Sequence, residues 1–409
     1  MTSAFDLESE LATYAKGDLQ DPYPLYEHLR KREKPFFNKE LGMWLVLGFE
    51  DVENGLSDPR LANDRILGYE NALTPENRVK YKALNDHLSH WLGFEDPPVH
   101  TQSRGYLKEY ISGRLAIRMK PTIERQTDLI LRKAKEQGDV DLLRDFAYPL
   151  PLAIICELLG IESGQEEEFK ILADALGAYP GNVGPILNEV APPAFEALQQ
   201  IEKFFDELVA KRMADPKDDL ITRLGELNKA GQLPHQELIS LLTFVFLAGF
   251  GTTLNLIANG LYLLFAHPEE KARLIQEPKM IGTAVEEFLR FESPIQTVAR
   301  LAREDFDWHG ELIKKGDYVG LSAGSANRDE NIFPNAHVFD IGREPNRHIA
   351  FGRAAHFCLG APLARVEAQV AISTFLERFP NAEMIEPVQN WLPIINFRHL
   401  ESLRVNLNS

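Results

Sequence analysis

Residues 351–365 read Phe-Gly-Arg-Ala-Ala-His-Phe-Cys-Leu-Gly-Ala-Pro-Leu-Ala-Arg. A single thiol, Cys358, lies between Gly352 and Gly360 and just ahead of a helix start at Pro362. Proline suits the first turn of a helix, where its missing N–H is no loss. A cysteine at that place faces free backbone N–H groups and the positive end of the helix dipole, and both favour the thiolate. A thiolate is a nucleophile or a metal ligand. Nucleophilic use calls for a histidine base and a partner to orient it. His356 is two residues away, and the sequence alone leaves open whether its ring meets the sulfur. The other cysteine, Cys156, falls inside the apolar run 150–159 and reads as a small core side chain. Two cysteines are too few for a disulfide framework or a four-cysteine metal cluster.

Working outward, apolar spacing predicts a last long helix over 361–379 after this loop, and a strand-rich stretch over 297–322 before it. Shorter helices are expected at 269–275 and 281–291. Ahead of them, Leu233-Pro234-His235-Gln236-Glu237 opens a helix that runs to about Ala266. Its apolar part, 241–266, is long enough to cross a bilayer, but Gly249, Gly251, Thr252, Thr253 and Asn255 occupy the middle and no basic flank orients it. A helix buried on all sides in a large protein is the expected reading. From 121 to about 229 nearly everything reads as helix, and 43–47 (MWLVL) as a strand. The expected class is mainly α with small β-sheets. No Gly/Ser-rich or Pro-rich linker, repeat or low-complexity segment divides the 409 residues, so one domain over 1–409 is expected.

Composition removes other options. With 44% hydrophobic and 26% charged residues the chain is of the soluble globular type. Its 44 basic residues against 61 acidic ones leave a net charge of −17, which argues against duplex nucleic acid and anionic membrane surfaces as partners. Residues 1–30 carry no apolar h-region with a small-residue cleavage site, so the cytoplasm is the expected location.

The cysteine segment resembles the ligand loop of the bacterial cytochromes P450. The family pattern is Phe, two residues, Gly, three residues, Cys, one residue, Gly. Phe351, Cys358 and Gly360 match it, while Ala354 stands where the family usually has Gly, a departure worth about 1 kcal/mol at a tight bend. The resemblance implies a P450 fold with a long central helix over haem b (iron protoporphyrin IX), and Cys358 as the proximal ligand. Further matches run along the chain. Glu287-Phe-Leu-Arg290 is similar to the family's Glu-x-x-Arg pair, two side chains on one helix face, and Arg343 sits where the third member of that ion network falls. The network's implied role is to maintain the fold around the haem loop. His100 and Arg104, at helical i, i+4 spacing, resemble the family's propionate partners, as do Arg300 and His356. Ala248-Gly249-Phe250-Gly251-Thr252-Thr253 falls on the pattern Ala-Gly-x-acid-Thr-Thr, in which small residues let the helix approach the cofactor and Thr252 helps to pass a proton. Gly251 replaces the acid that usually couples this site to bulk protons; water in the space it leaves, or a group on the substrate, is the expected substitute.

By the same resemblance, substrate-facing positions come from 66–91, 169–190, 243–248, 295–298 and 395–397. Within them Thr243, Ile295, Gln296, Thr297, Val298, Asn396 and Phe397 are the candidate pocket residues, with Gln296, Thr297 and Asn396 as polar anchors. A hydrophobic small organic substrate is implied. The reaction implied is insertion of one oxygen atom of O2. No flavin or iron–sulfur motif lies in this chain, so electrons must come from separate proteins. Between 101 and 120, Arg104, Lys108, Arg114, Arg118 and Lys120 stand against one acid, Glu109, and would suit an acidic ferredoxin-type donor. A monomer is expected. The missing acid at 251 keeps a peroxide-driven or non-oxygenating haem-thiolate enzyme as the alternative, with a haem-based ligand-binding protein behind it.

Overall fold

The computed structural model describes residues 6–17, 19–137, 139–161, 166–182, 184–385 and 390–407. Residues 1–5 of the opening segment and position 183 of the 169–190 stretch lie outside the described residues. Contacts divide the chain into two compact units: 1–62, 117–150 and 252–409 form the first, and 63–116 and 151–251 the second.

The first unit carries all the strands among the described residues: β1 (Phe36–Asn38), β2 (Met43–Val46), β3 (Leu61–Ala62), β4 (Asp139–Asp141), β5 (Val298–Ala302), β6 (Phe306–Trp308), β7 (Glu311–Ile313), β8 (Tyr318–Leu321), β9 (Glu383–Met384) and β10 (Arg404–Asn406). Five of them make a sheet in the order β1-β2-β8-β5-β3, in which β2 and β8 are parallel and the other neighbours antiparallel. Side chains along β2 alternate between two cores. Met43, Leu45 and Leu47 pack with Tyr14, Leu25 and Leu29, whereas Val46 packs with Phe49, Leu321 and Phe333. That is the two-residue period of a strand covered on both faces, and each aliphatic side chain so buried contributes about 1.5–3 kcal/mol. In the hairpin of β6 and β7, His309 and Gly310 both take positive φ (54° and 83°), as a mirror-type two-residue turn requires. A third sheet, β4-β10-β9, joins residue 139 to residue 406. The expectation of near-continuous helix from 121 to 229 therefore needs correction: β4 interrupts it, because its partner is more than 260 residues away and leaves no local signal.

The expected elements around the cysteine segment form at Pro268–Gln276, Ile281–Phe291 and Ala361–Arg378. In the second unit, Phe169, Phe204, Phe205 and Phe246 interlock edge to face across three helices. The long helix covers His235–Ala266, 32 residues and about 48 Å at ~1.5 Å per residue. Apolar and long enough to cross a membrane by composition, it has 67% of its most apolar window buried inside the protein, as a core helix does.

Candidate active site

Backbone bonds shape the cysteine loop before any cofactor is considered. The Cys358 N–H donates to Phe351 O at 2.9 Å, closing the loop on itself, and Phe357 N–H donates to Ala354 O at 3.2 Å. Gly352 takes φ +69°, and Ala354 takes φ +53° at the position where the matching pattern has glycine. The left-handed conformation there is forced on a residue with a Cβ. Cys358 is half-buried, and a Cβ on Gly360 would sit 3.9 Å from its sulfur. Behind the loop the Arg365 guanidinium lies 4.5 Å from the Phe351 ring centroid. Arg365 also holds Glu286 through two bonds of 2.7 and 2.8 Å, and His348 reaches the same carboxylate at 2.9 Å. Burial alone would raise the Glu286 carboxyl, but the hydrogen bonds from Arg365 and His348 outweigh it and hold the pKa down at about 2. Sequence reasoning missed this support, since Glu286 and Arg365 lie 79 residues apart and only tertiary packing pairs them.

The ion network expected ahead of the loop is assembled. Glu287 and Arg290 are both 0% exposed and bonded at 2.7 and 2.8 Å. Arg343 Nε reaches Glu287 at 3.3 Å, and Asn346 Nδ2 donates to the same carboxylate at 3.1 Å. The arginines spend their remaining donors on carbonyls of the segment that enters the cysteine loop: Arg290 on Asn327, Ala336 and Val338, and Arg343 on Pro334, Asn335 and Val338. A buried charge pair without such partners would cost several kcal/mol. Here the arginines' remaining bonds also fix the backbone of 327–338.

On the long helix most positions are buried, yet Phe244, Leu247, Ala248, Gly251 and Thr252 are half-buried or exposed. They recur at three- and four-residue intervals and so form one stripe. A Cβ added to Gly251 would meet nothing within 4 Å, so this stretch of the stripe faces open space. Gly249 behaves differently: a Cβ there would come 2.6 Å from Ile155 Cδ1. Its small size admits Ile155 of the helix Pro149–Leu158. Thr253, next to Thr252, is buried.

Among the expected carboxylate partners, Arg300 is 3% exposed on β5 and donates to Ala299 O at 3.0 Å. His356 is half-buried in the cysteine loop. In the second unit His100 is buried and Arg104 half-buried on the helix Val99–Lys108. Burial lowers the His100 pKa and the charge of Arg104 adds to this, with Asp96 opposing. In the first unit the Cys358 sulfur is of the kind that ligates haem iron, and Arg300 and His356 are nitrogen donors of the kind that hold its carboxylates; His100 and Arg104 in the second unit are donors of the same kind.

The pocket expectation divides. Ile295, Val298, Asn396 and Phe397 are half-buried, and Ile295 and Phe397 pair across a bridge beside a 2.9 Å bond from Gln296 N to Asn396 O. Thr243, Gln296 and Thr297 are buried. Thr243 is fully buried and donates its hydroxyl to Ile239 O at 2.9 Å. Gln296 donates Nε2 to Ser293 O and fills the space over Gly324, while Thr297 lays its methyl beside Gly320. Gln296 thus packs over the helix Ala323–Ala326 and Thr297 over β8, and both side chains are buried.

A family model for cytochrome P450 matches residues 70–394. A putative cytochrome P450, YjiB of Bacillus subtilis (strain 168), is 35% identical over 383 residues covering 92% of each chain. The 6-deoxyerythronolide B hydroxylase of Saccharopolyspora erythraea is 33% identical, covering 93% of this chain and 92% of its own. Among solved structures, P450BioI in complex with a hexadec-9Z-enoic acid ligated acyl carrier protein superposes with a TM-score of 0.85 at 34% identity, covering 94% and 98%. The chain belongs to the cytochrome P450 family. It is a haem-thiolate monooxygenase that uses O2 on a small organic substrate.

Proposed function

We propose that Cys358 supplies the thiolate that ligates haem iron, and that His100, Arg104, Arg300 and His356 bind the haem carboxylates. Phe351 and Gly360 shape the ligand loop, and Glu287, Arg290 and Arg343 hold the segment that leads into it. Haem held there supplies the iron at which O2 is reduced and one of its oxygen atoms is passed to the substrate. Thr252 Oγ1 holds the proton used on the oxygen side, and Ala248, beside it on the open stripe, leaves room for the substrate. Thr253 is buried behind Thr252 and fixes its backbone. Ile295, Val298, Asn396 and Phe397 line the substrate side, with Asn396 as its polar anchor. The observation that carries this reading is the open stripe at Ala248, Gly251 and Thr252 on a helix most of whose positions are buried.

At position 251 a water renews the Thr252 proton in place of the missing acid. Gly251→Asp tests this: a changed solvent isotope effect and changed coupling of O2 use to product support it, and unchanged values remove it. The open space at Gly251 also favours a second reading, turnover driven by peroxide, which brings its own protons. Product formed with O2 and a ferredoxin system but not with peroxide decides for the first.

The electron donor is a separate ferredoxin-type protein, and two basic surfaces suit its acidic face. One is the 101–120 segment, where Lys108, Arg114, Arg118 and Lys120 are exposed. The other is a cleft of about 360 Å³ beside the cysteine loop, where Arg353 is paired with Glu53 and Arg365 with Glu286, and Arg347 adds a further positive charge. Charge reversal assigns the docking face, because rim charges act mainly on association rate and its salt dependence. If Lys108→Glu with Arg114→Glu leaves the reduction rate and its salt dependence alone, the first surface is withdrawn; Arg347→Glu applies the same test to the second. The protein works as a cytoplasmic monomer, and 1–409 acts as a single haem domain. The family match over 70–394 draws on both units and supports that reading.

A further inference from the structure

The turn that carries Asn396 and Phe397 is held by the opening segment of the chain. Gln20 makes a two-point bond to the backbone of Trp391: its Oε1 accepts from Trp391 N at 2.8 Å, and its Nε2 donates to Trp391 O at 3.2 Å. Three residues earlier, Gly17 takes φ +76°, and a Cβ there would lie 2.5 Å from Pro393 O, so the two backbones touch. Three residues later, Tyr23 donates its hydroxyl to Glu292 at 2.8 Å. Glu292 is also the acceptor for Arg398 Nε at 2.9 Å, and Arg398 stacks 3.6 Å from the Trp391 ring centroid. Asn259 of the long helix donates to Arg398 O at 3.0 Å, and Arg398 N to Pro294 O at 2.9 Å. The 391–398 turn therefore has anchors from this segment at both ends, while its tip bridges to Ile295 and Gln296. One anchor is the exposed Gln20 pair, and the other is a buried carboxylate shared by Tyr23 and Arg398.

We infer that Gly17 and residues 19–23 form a strap that sets the position of the 394–397 turn, making Gln20 and Tyr23 positioning residues for substrate selection. This rests on the reading that Phe397 faces the substrate. Neither residue touches the cysteine loop in any contact described above, so their loss moves the pocket wall and leaves the ligand side alone. A hydrogen bond removed from a strap of this kind loosens the segment it holds, and local exchange reports that opening.

The test uses the haem-loaded protein and two azoles that ligate iron through nitrogen: imidazole, which reaches no further, and clotrimazole, whose three aryl rings press on the pocket walls. Gln20→Ala and Tyr23→Phe should leave imidazole affinity unchanged and weaken clotrimazole, Tyr23→Phe by about fivefold, the fold-change that corresponds to one lost hydrogen bond, and Gln20→Ala, which loses two, by more. Amide exchange over 391–398 should quicken in both variants, and Gln20→Glu, which keeps the acceptor for Trp391 N, should recover part of the loss. Equal weakening of both azoles, or unchanged exchange over 391–398, overturns the inference. Phe397→Ala separates it from the reading beneath it. If Phe397→Ala weakens clotrimazole while the strap variants do not, the strap fails alone; if Phe397→Ala has no effect, the substrate-facing turn fails and the strap with it.

Discussion

Three small residues show how differently one type of side chain can be used. Ala354 is held at φ +53°, where an L side chain crowds the following carbonyl, at a cost of about 1–2 kcal/mol. Ala354→Gly removes that crowding but gains entropy in the unfolded chain, so a net stabilisation of about 0.5–1 kcal/mol is expected. A melt followed at the Soret band checks it, and a lower midpoint would mean that the bend carries no strain. On the long helix, Gly249→Ala and Gly251→Ala are the same change with opposite outcomes. At 251 the methyl meets nothing and the helix gains about 1 kcal/mol from alanine's better propensity. At 249 it overlaps Ile155, and overpacking of that kind costs about 1–3 kcal/mol. Chemical denaturation of the two variants, each against the parent, gives the signs directly.

Between the helix Ile281–Phe291 and the helix Ala361–Arg378, the Glu286–Arg365–His348 cluster is the bond that sits closest behind the cysteine loop. Its pH dependence has a defined sign. The folded pKa of Glu286 lies at about 2, below its unfolded value near 4.5, so its contribution is complete above about pH 5 and is lost as pH falls toward 2. Because Arg365 stacks on Phe351, protonating Glu286 loosens the loop that presents the thiol. Glu286→Gln is therefore expected to retain less of the thiolate-type spectrum at neutral pH and to flatten its decline in acid. An acid titration of parent and variant, read at the Soret band, tests this; superimposable curves would detach the cluster from the loop.

Across the whole molecule, what could be read from the sequence was whatever local spacing carries. The cysteine between glycines before a proline-started helix, the Glu287–Arg290 pair and the 32-residue helix each express one helical or turn rule within a few residues. Hidden from the sequence were the features decided by a partner far along the chain. Glu286 finds Arg365, β4 finds β10, Gly249 makes way for Ile155, and Gln296 packs over Gly324 in the helix Ala323–Ala326. Net charge shows the same division: −17 overall describes the molecule, but the exposed Lys108, Arg114, Arg118 and Lys120 run against it locally and decide what can approach there. The central claim, that Cys358 presents a thiolate to haem iron from this loop, is tested most directly by the absorption spectrum of the reduced protein under carbon monoxide. The account predicts the strongly red-shifted Soret band of thiolate ligation in the parent and its loss in Cys358→Ser with haem still bound. A red-shifted band that persists in Cys358→Ser, or a parent that binds haem without it, would contradict the account.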